Sequence, residues 1–279
     1  MSLSANPAHA GDGDVINFEP SVAWALDYSK DSCALTRAYT AKGEKLYMQM
    51  RQYSPSGSIN VLFSAGRRTG GKALKFRFGD EGDYISDPIV PITWAHLPGG
   101  MFAVRQSELL GVSPSDVPDR QWSDEERDAL FSGIETISMV TARNETWNIH
   151  TGNLVEPFRA LSKCMTELTS HWDIDHAAHE NLSRKADPRD FRNFILNLQT
   201  YPRYELVDGQ EAIIAFRVDV DAQGNGTACH IQNETDTQRF KPFICKRVLG
   251  DGLYLPALDS GGNPVKSYWA AVISYKLGN

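Results

Sequence analysis

In the last third of the chain, short segments of alternating period follow one another with little more than turns between them, and this spacing constrains the fold most. IIAFRVDV (213–220) and TACHIQ (227–232) are β-type runs flanking DAQGN, which predicts a hairpin. RFKPFICKRVLG (239–250) reads as a helix with Pro242 at its first position, Phe240 and Cys245 as an entry staple and Gly250 as its stop. YWAAVISY (268–275) is a final strand whose Trp269, Ala271, Ile273 and Tyr275 alternate as one buried face would. Residues 199–279 are therefore expected to form a small ββαβ module, a sheet backed by one helix.

Upstream, SCALTRAY, KLYMQMRQY, SINVLFSAG, ALKFRFG and ETISMVTA are β-type runs separated by Ser, Pro and Gly. Two helices interrupt them. Ser123 with Glu126 forms a capping box, and Gly133 stops that helix. Leu154, Phe158, Leu161, Met165, Leu168 and Trp172 recur every three or four residues, which puts all six on one stripe of a longer helix. The expected class is α+β in two domains: a tail at 1–17, a mainly β domain at 18–172 closed by the long amphipathic helix, a linker and short helix at 173–198, and the module at 199–279. In the linker, Asp187-Pro188 is expected to cap a helix running through Phe191, Phe194 and Leu198.

The net charge of -7 argues against nucleic acid, which requires clustered Lys and Arg to neutralise phosphates. No apolar run is long enough to span a bilayer as a helix. Ala8-His9-Ala10 has the form of a leader cleavage site without its apolar run, so an exported protein lacking its leader is one reading and a disordered tail the other.

Cys33, Cys164, Cys229 and Cys245 show no metal-like spacing. Cys229 on a strand and Cys245 on the helix packed against it are positioned to bridge. Cys33 and Cys164 are then left to pair, the long helix carrying Cys164 toward the sheet. Four buried free thiols are the alternative, and the oxidation state decides the compartment.

Three strings imitate chemistry. GRRTGGKA (66–73) nearly matches a phosphate-binding loop, but Ala73 has no hydroxyl and a strand-like run follows, so a hairpin turn is expected. DVDAQG opens like a calcium loop, yet its twelfth position is His230, where a bidentate Glu is required. HWDIDHAAHE supplies the one metal wager, Asp175, His176 and His179. No catalytic set and no cofactor can be nominated from spacing.

Tyr201-Pro202, Gly209, Val218-Asp219 with Gly224, Pro256-Ala257 and a last strand near Lys266 to Leu277 follow in an order that resembles the TonB C-terminal domain. Trp24, Cys33, Leu35, Arg37 and the stretch 151–172 are similar to uncharacterised two-domain envelope proteins of sphingomonad-type bacteria. The membrane anchor and proline-rich spacer of true energy transducers are not present in this sequence, which puts energy transduction in doubt. The resemblance implies a periplasmic, non-enzymatic protein that binds a protein or peptide of the bacterial envelope, such as a transport component. It implies strand addition along Tyr268, Trp269, Ala270, Ala271, Val272, Ile273, Ser274 and Tyr275. The alternatives are a hydrolase-type enzyme with an unread site and a homo-oligomer joined through that strand.

Overall fold

The computed structural model describes residues 14–55, 59–65, 73–79, 83–88, 91–92, 100–104, 123–174, 179, 181–232 and 239–277. Helices and sheets gather around two separate cores, an α+β arrangement in which β-structure predominates.

The first core sits in an eleven-stranded sheet. Its strands are β1 (Val15–Pro20), β2 (Ala25–Tyr28), β3 (Cys33–Ala41), β4 (Glu44–Gln52), β5 (Asn60–Ala65), β6 (Ala73–Phe78), β7 (Ile85–Pro88), β8 (Pro91–Ile92), β9 (Gly100–Val104), β10 (Thr136–Val140) and β11 (Thr146–His150). They lie in the order β7-β6-β10-β11-β1-β3-β4-β5-β9-β8, with β2 also on β3. The end strands are joined through residues 89–90, so Pro88 and Pro91 are three virtual bonds apart and their Cα atoms lie within about 11 Å. The sheet must therefore curl into a half-barrel. Lys42 and Gly43, both at positive φ (49° and 83°), make the two-residue β3–β4 turn whose twist matches the strands.

Two expectations change here. β1, the first described strand, starts at Val15 inside the tail expected at 1–17, and its Ile16 and Phe18 alternate into the core. The strands flanking GRRTGGKA, β5 and β6, do not pair with each other, unlike the two arms of the expected hairpin. β5 pairs with β4 and β9 while β6 pairs with β10 and β7, so the string crosses between distant parts of the sheet. Its residues 66–72 lie outside the described residues, and Ala73 opens β6.

Helix α1 (Asp124–Ser132) starts on the expected reciprocal cap, Ser123 Oγ accepting from Glu126 N and Glu126 accepting from Ser123 N. Helix α2 (Val155–His171) begins after Leu154 and ends at Trp172, and all six stripe residues are buried. The helices meet through Phe131 and Phe158, stacked at 3.7 Å, and through Arg159 on Asp128. The fully buried Cys33–Cys164 bond ties α2 to β3.

The second core belongs to a three-stranded sheet in the order β14-β13-β18, with β13 (Ala212–Val220), β14 (Gly226–Ile231) and β18 (Ser267–Tyr275) all antiparallel. Helices α3 (Phe191–Gln199), α4 (Arg203–Val207) and α5 (Phe240–Val248) accompany it. Short strands β12 (Asp187–Pro188), β15 (Tyr254–Leu255), β16 (Ala257–Leu258) and β17 (Pro264–Val265) complete the fold. Ile214, Phe216, Val218, Trp269, Ile273 and Tyr275 point toward α3 and α5 and are buried with Phe240, Ile244 and Val248. The Cys229–Cys245 bond fixes α5 to β14.

The segment expected as a linker is part of this domain. Leu198 and Ala186 are buried in its core, β12 pairs with β15, and Ser183 and Arg184 bond to Leu258. Its polar composition concealed this because much of the contact is hydrogen bonding to backbone, from its own backbone and from Ser183 and Arg184. Asp190, not Asp187, caps α3, its carboxylate accepting from Asn193 N at 3.2 Å. Pro242 stands at the third position of α5, where its missing N–H is still one the helix does not use. Phe240, the first residue of α5, is buried, and Cys245 is engaged by sulfur, so the expected staple between them does not describe the entry.

Two loops share one design. Asp221 Oδ1 accepts from Gln223 N and Asn225 N, both at 2.9 Å, while Asn225 donates to Oδ2. Asp259 repeats this with Gly261 N, Asn263 N and the Asn263 amide. These donors favour the charged form and hold both carboxyls below the usual carboxylate range. A group whose folded pKa is depressed contributes stability above its unfolded pKa of about 3.9 and loses that contribution as pH falls through the folded value. Asp221→Ala is thus expected to lower stability at neutral pH and to reduce the fall in stability below about pH 4, as read by urea denaturation across that range.

Candidate functional site

The last strand lies at the rim of its sheet. β18 pairs along its whole length with β13, from Ser267 opposite Val220 to Tyr275 opposite Ala212, and among the described residues no strand pairs its other side. The bond from Gln232 N to Ala215 O shows that odd-numbered β13 residues bond toward β14. Even-numbered ones therefore bond to β18 through Trp269, Ala271, Ile273 and Tyr275. The backbone groups of Ala270, Val272 and Ser274 consequently point outward. Their side chains are part-exposed, whereas Trp269, Ile273 and Tyr275 are buried.

The start of the rim is occupied by the chain itself. Lys266 Nζ contacts Asp173 at 2.7 Å, His179 Nε2 lies 2.8 Å from Ser267 Oγ, and the His179 ring stacks on Tyr268 at 4.7 Å. His179 is thus placed against β18. Asp175 and His176 lie outside the described residues, and among the described residues no group of three His, Cys, Asp or Glu is arranged to hold a metal.

The sheet face opposite the helices docks on the first domain. Arg217, 3% exposed in the middle of β13, lays its guanidinium 4.1 Å over the Trp172 ring, and Trp172 also meets Tyr268 edge-on at 5.4 Å. Gln232 reaches across to donate to Asp31 O at 3.0 Å and Tyr53 O at 2.7 Å. Asp219 stands beside Arg217 at 3.3 Å and meets His230 Nε2 at 3.0 Å. Burial lowers the Arg217 pKa, and the nearby Asp219 and Asp31 charges oppose that shift.

Sequence reading did not find this contact surface. In the sequence Arg217 is one of two charges, with Asp219, in an otherwise apolar strand. That Trp172, at the end of a helix 45 positions earlier, would cover it follows only from the docking of the two domains. Asp221 in DAQGN binds its own loop amides, which is a hairpin turn as expected. Both sulfur bridges are formed, compatible with an oxidising compartment, and among the described residues no helix is long and apolar enough to cross a membrane.

No family model, curated protein or solved structure matches this chain.

Proposed function

We propose that this protein is a non-enzymatic binding or scaffolding component of the bacterial envelope, acting in the periplasm, that captures an extended peptide of a partner by strand addition to β18. The observation that carries the reading is the position of β18 at the edge of its sheet, with Ala270, Val272 and Ser274 turning backbone donors and acceptors away from β13. A peptide laid there would gain main-chain bonds at each alternate residue, and the small side chains of Ala270 and Ala271 leave room beside it. The resemblance to TonB C-terminal domains points the same way, toward a transport-related partner.

Val272→Pro tests this. Proline removes an outward N–H and obstructs an incoming strand, yet at an edge position it breaks no bond to β13. The wild-type chain and the variant are used as baits in envelope extract, with matched melting curves as the folding control. Loss of a captured partner in the variant supports strand addition, and retention of every partner removes it. Chromatographic mass distinguishes a second copy of the chain as the occupant.

A further inference from the structure

Buried polar side-chain atoms without a hydrogen-bond partner are rare in folded proteins, and a cluster with no partner within the protein marks a place where water, an ion or a ligand can bind. Among the described residues seven such atoms occur, and four lie at the junction of the two domains: Arg217 Nε, Arg217 Nη1, Trp172 Nε1 and Gln232 Oε1. Their side chains belong to residues only 3%, 6% and 4% exposed. Arg217 and Gln232 share one face of the C-terminal sheet, because His230 stands directly opposite Arg217 and Gln232 is two residues further along. Around the guanidinium that face is floored by small side chains, Ala215 on the same strand and Ala270 directly across on β18.

The chemistry of the set is specific. Three of the four atoms are donors, two of them on a permanent cation. Asp219 pairs with that cation, its oxygen 3.3 Å from Nε, and Asp31 adds a second nearby negative charge, but no aligned hydrogen bond from Nε or Nη1 is made and the same carboxylate also meets His230. Trp172 covers one face of the guanidinium, and Nε and Nη1 have no hydrogen-bond partner within the protein.

We infer that the domain junction is a binding site for a small oxyanion, a carboxylate or phosphate group, held by Arg217 with the indole N–H of Trp172 as a second donor. Gln232 Oε1 would accept from a hydroxyl or protonated oxygen on the same ligand. Such a guest would supply acceptors for the Arg217 N–H groups that neither the Asp219 ion pair nor the Trp172 ring bonds. The site is separate from the β18 rim and stands whether or not a peptide binds there.

Acetate, succinate and inorganic phosphate are titrated against the intact chain, with chloride at equal ionic strength as the reference, by melting temperature and calorimetry. A guest bound only by the folded state raises the melting temperature with the logarithm of its concentration. Stabilisation by phosphate alone assigns a phosphate, and stabilisation by acetate or succinate alone assigns a carboxylate. Arg217→Met should weaken binding about tenfold or more. If that variant does not fold, Trp172→Phe keeps the ring beneath the guanidinium and removes the N–H; several-fold weaker binding supports the site, and unchanged affinity overturns it. No stabilisation beyond chloride by any of the three, or equal stabilisation in Arg217→Met, leaves ordered water as the occupant and overturns the proposal.

Discussion

Replacing Cys33 and Cys164 together by alanine is expected to lower the stability of the N-terminal domain by about 5 kcal/mol. The two residues are 131 positions apart, so the bond closes a loop that includes most of the half-barrel. In the chain-entropy model such a closure removes far more freedom from the unfolded chain than the 16-residue closure at Cys229–Cys245, for which the same relation gives about 3 kcal/mol. For a domain of this size the larger figure corresponds to a fall in melting temperature of about 10–20 °C, measurable by circular dichroism. Because Cys33 and Cys164 are wholly buried, the alanine pair also leaves unfilled volume against Leu161 and Leu35 in the same core. A fall smaller than that of the Cys229→Ala and Cys245→Ala pair would show that the unfolded chain is already compact around this link.

Gly224→Ala should be strongly damaging to the C-terminal domain. The residue sits at φ 85° in the β13–β14 turn, and an added Cβ would stand 2.3 Å from the carbonyl oxygen of Tyr254. That oxygen belongs to backbone held in place by Tyr254 N donating to Gly224 O at 3.0 Å and by the Tyr254 hydroxyl donating to Val248 O at 2.9 Å. The obstacle therefore cannot swing aside as the end of a flexible side chain would. Left-handed strain of about 1–3 kcal/mol adds to overpacking of similar size, giving about 2–6 kcal/mol. Gly43→Ala is the control. Its φ is 83°, but nothing lies within 4 Å of the added Cβ, so it should show the strain alone. Urea midpoints of the two variants separate the contributions, and equal losses would mean that the Tyr254 segment yields.

Periodicity is a local property, and the parts of this protein that depend on it were legible. The stripe from Leu154 to Trp172 is buried because residues three and four apart share a helix face. Ser123 and Glu126 cap because the cap needs only neighbours. DAQGN turns because Asp221 can reach its own amides. By contrast, residues 181–188 give a linker-like pattern because most of their contacts are polar ones to backbone at 254–259, from their own backbone and from Ser183 and Arg184, which leave no apolar period in the sequence. GRRTGGKA was read as a hairpin because two strands flank it, although adjacency in sequence does not decide which strands pair.

For the sites the division is similar. The residues of the last strand could be named from alternation and resemblance, but its place at the rim of a three-stranded sheet required the strand order. The Arg217, Trp172 and Gln232 junction was not legible at all. The amino-acid sequence by itself determined the helices, the turns and which face of each strand is apolar, since these follow from neighbours along one chain. Only the tertiary structure decided that the sheet's polar face closes on the end of a distant helix and leaves donors there without a partner within the protein. Which surfaces meet depends on the packing of whole domains, and no local period encodes it.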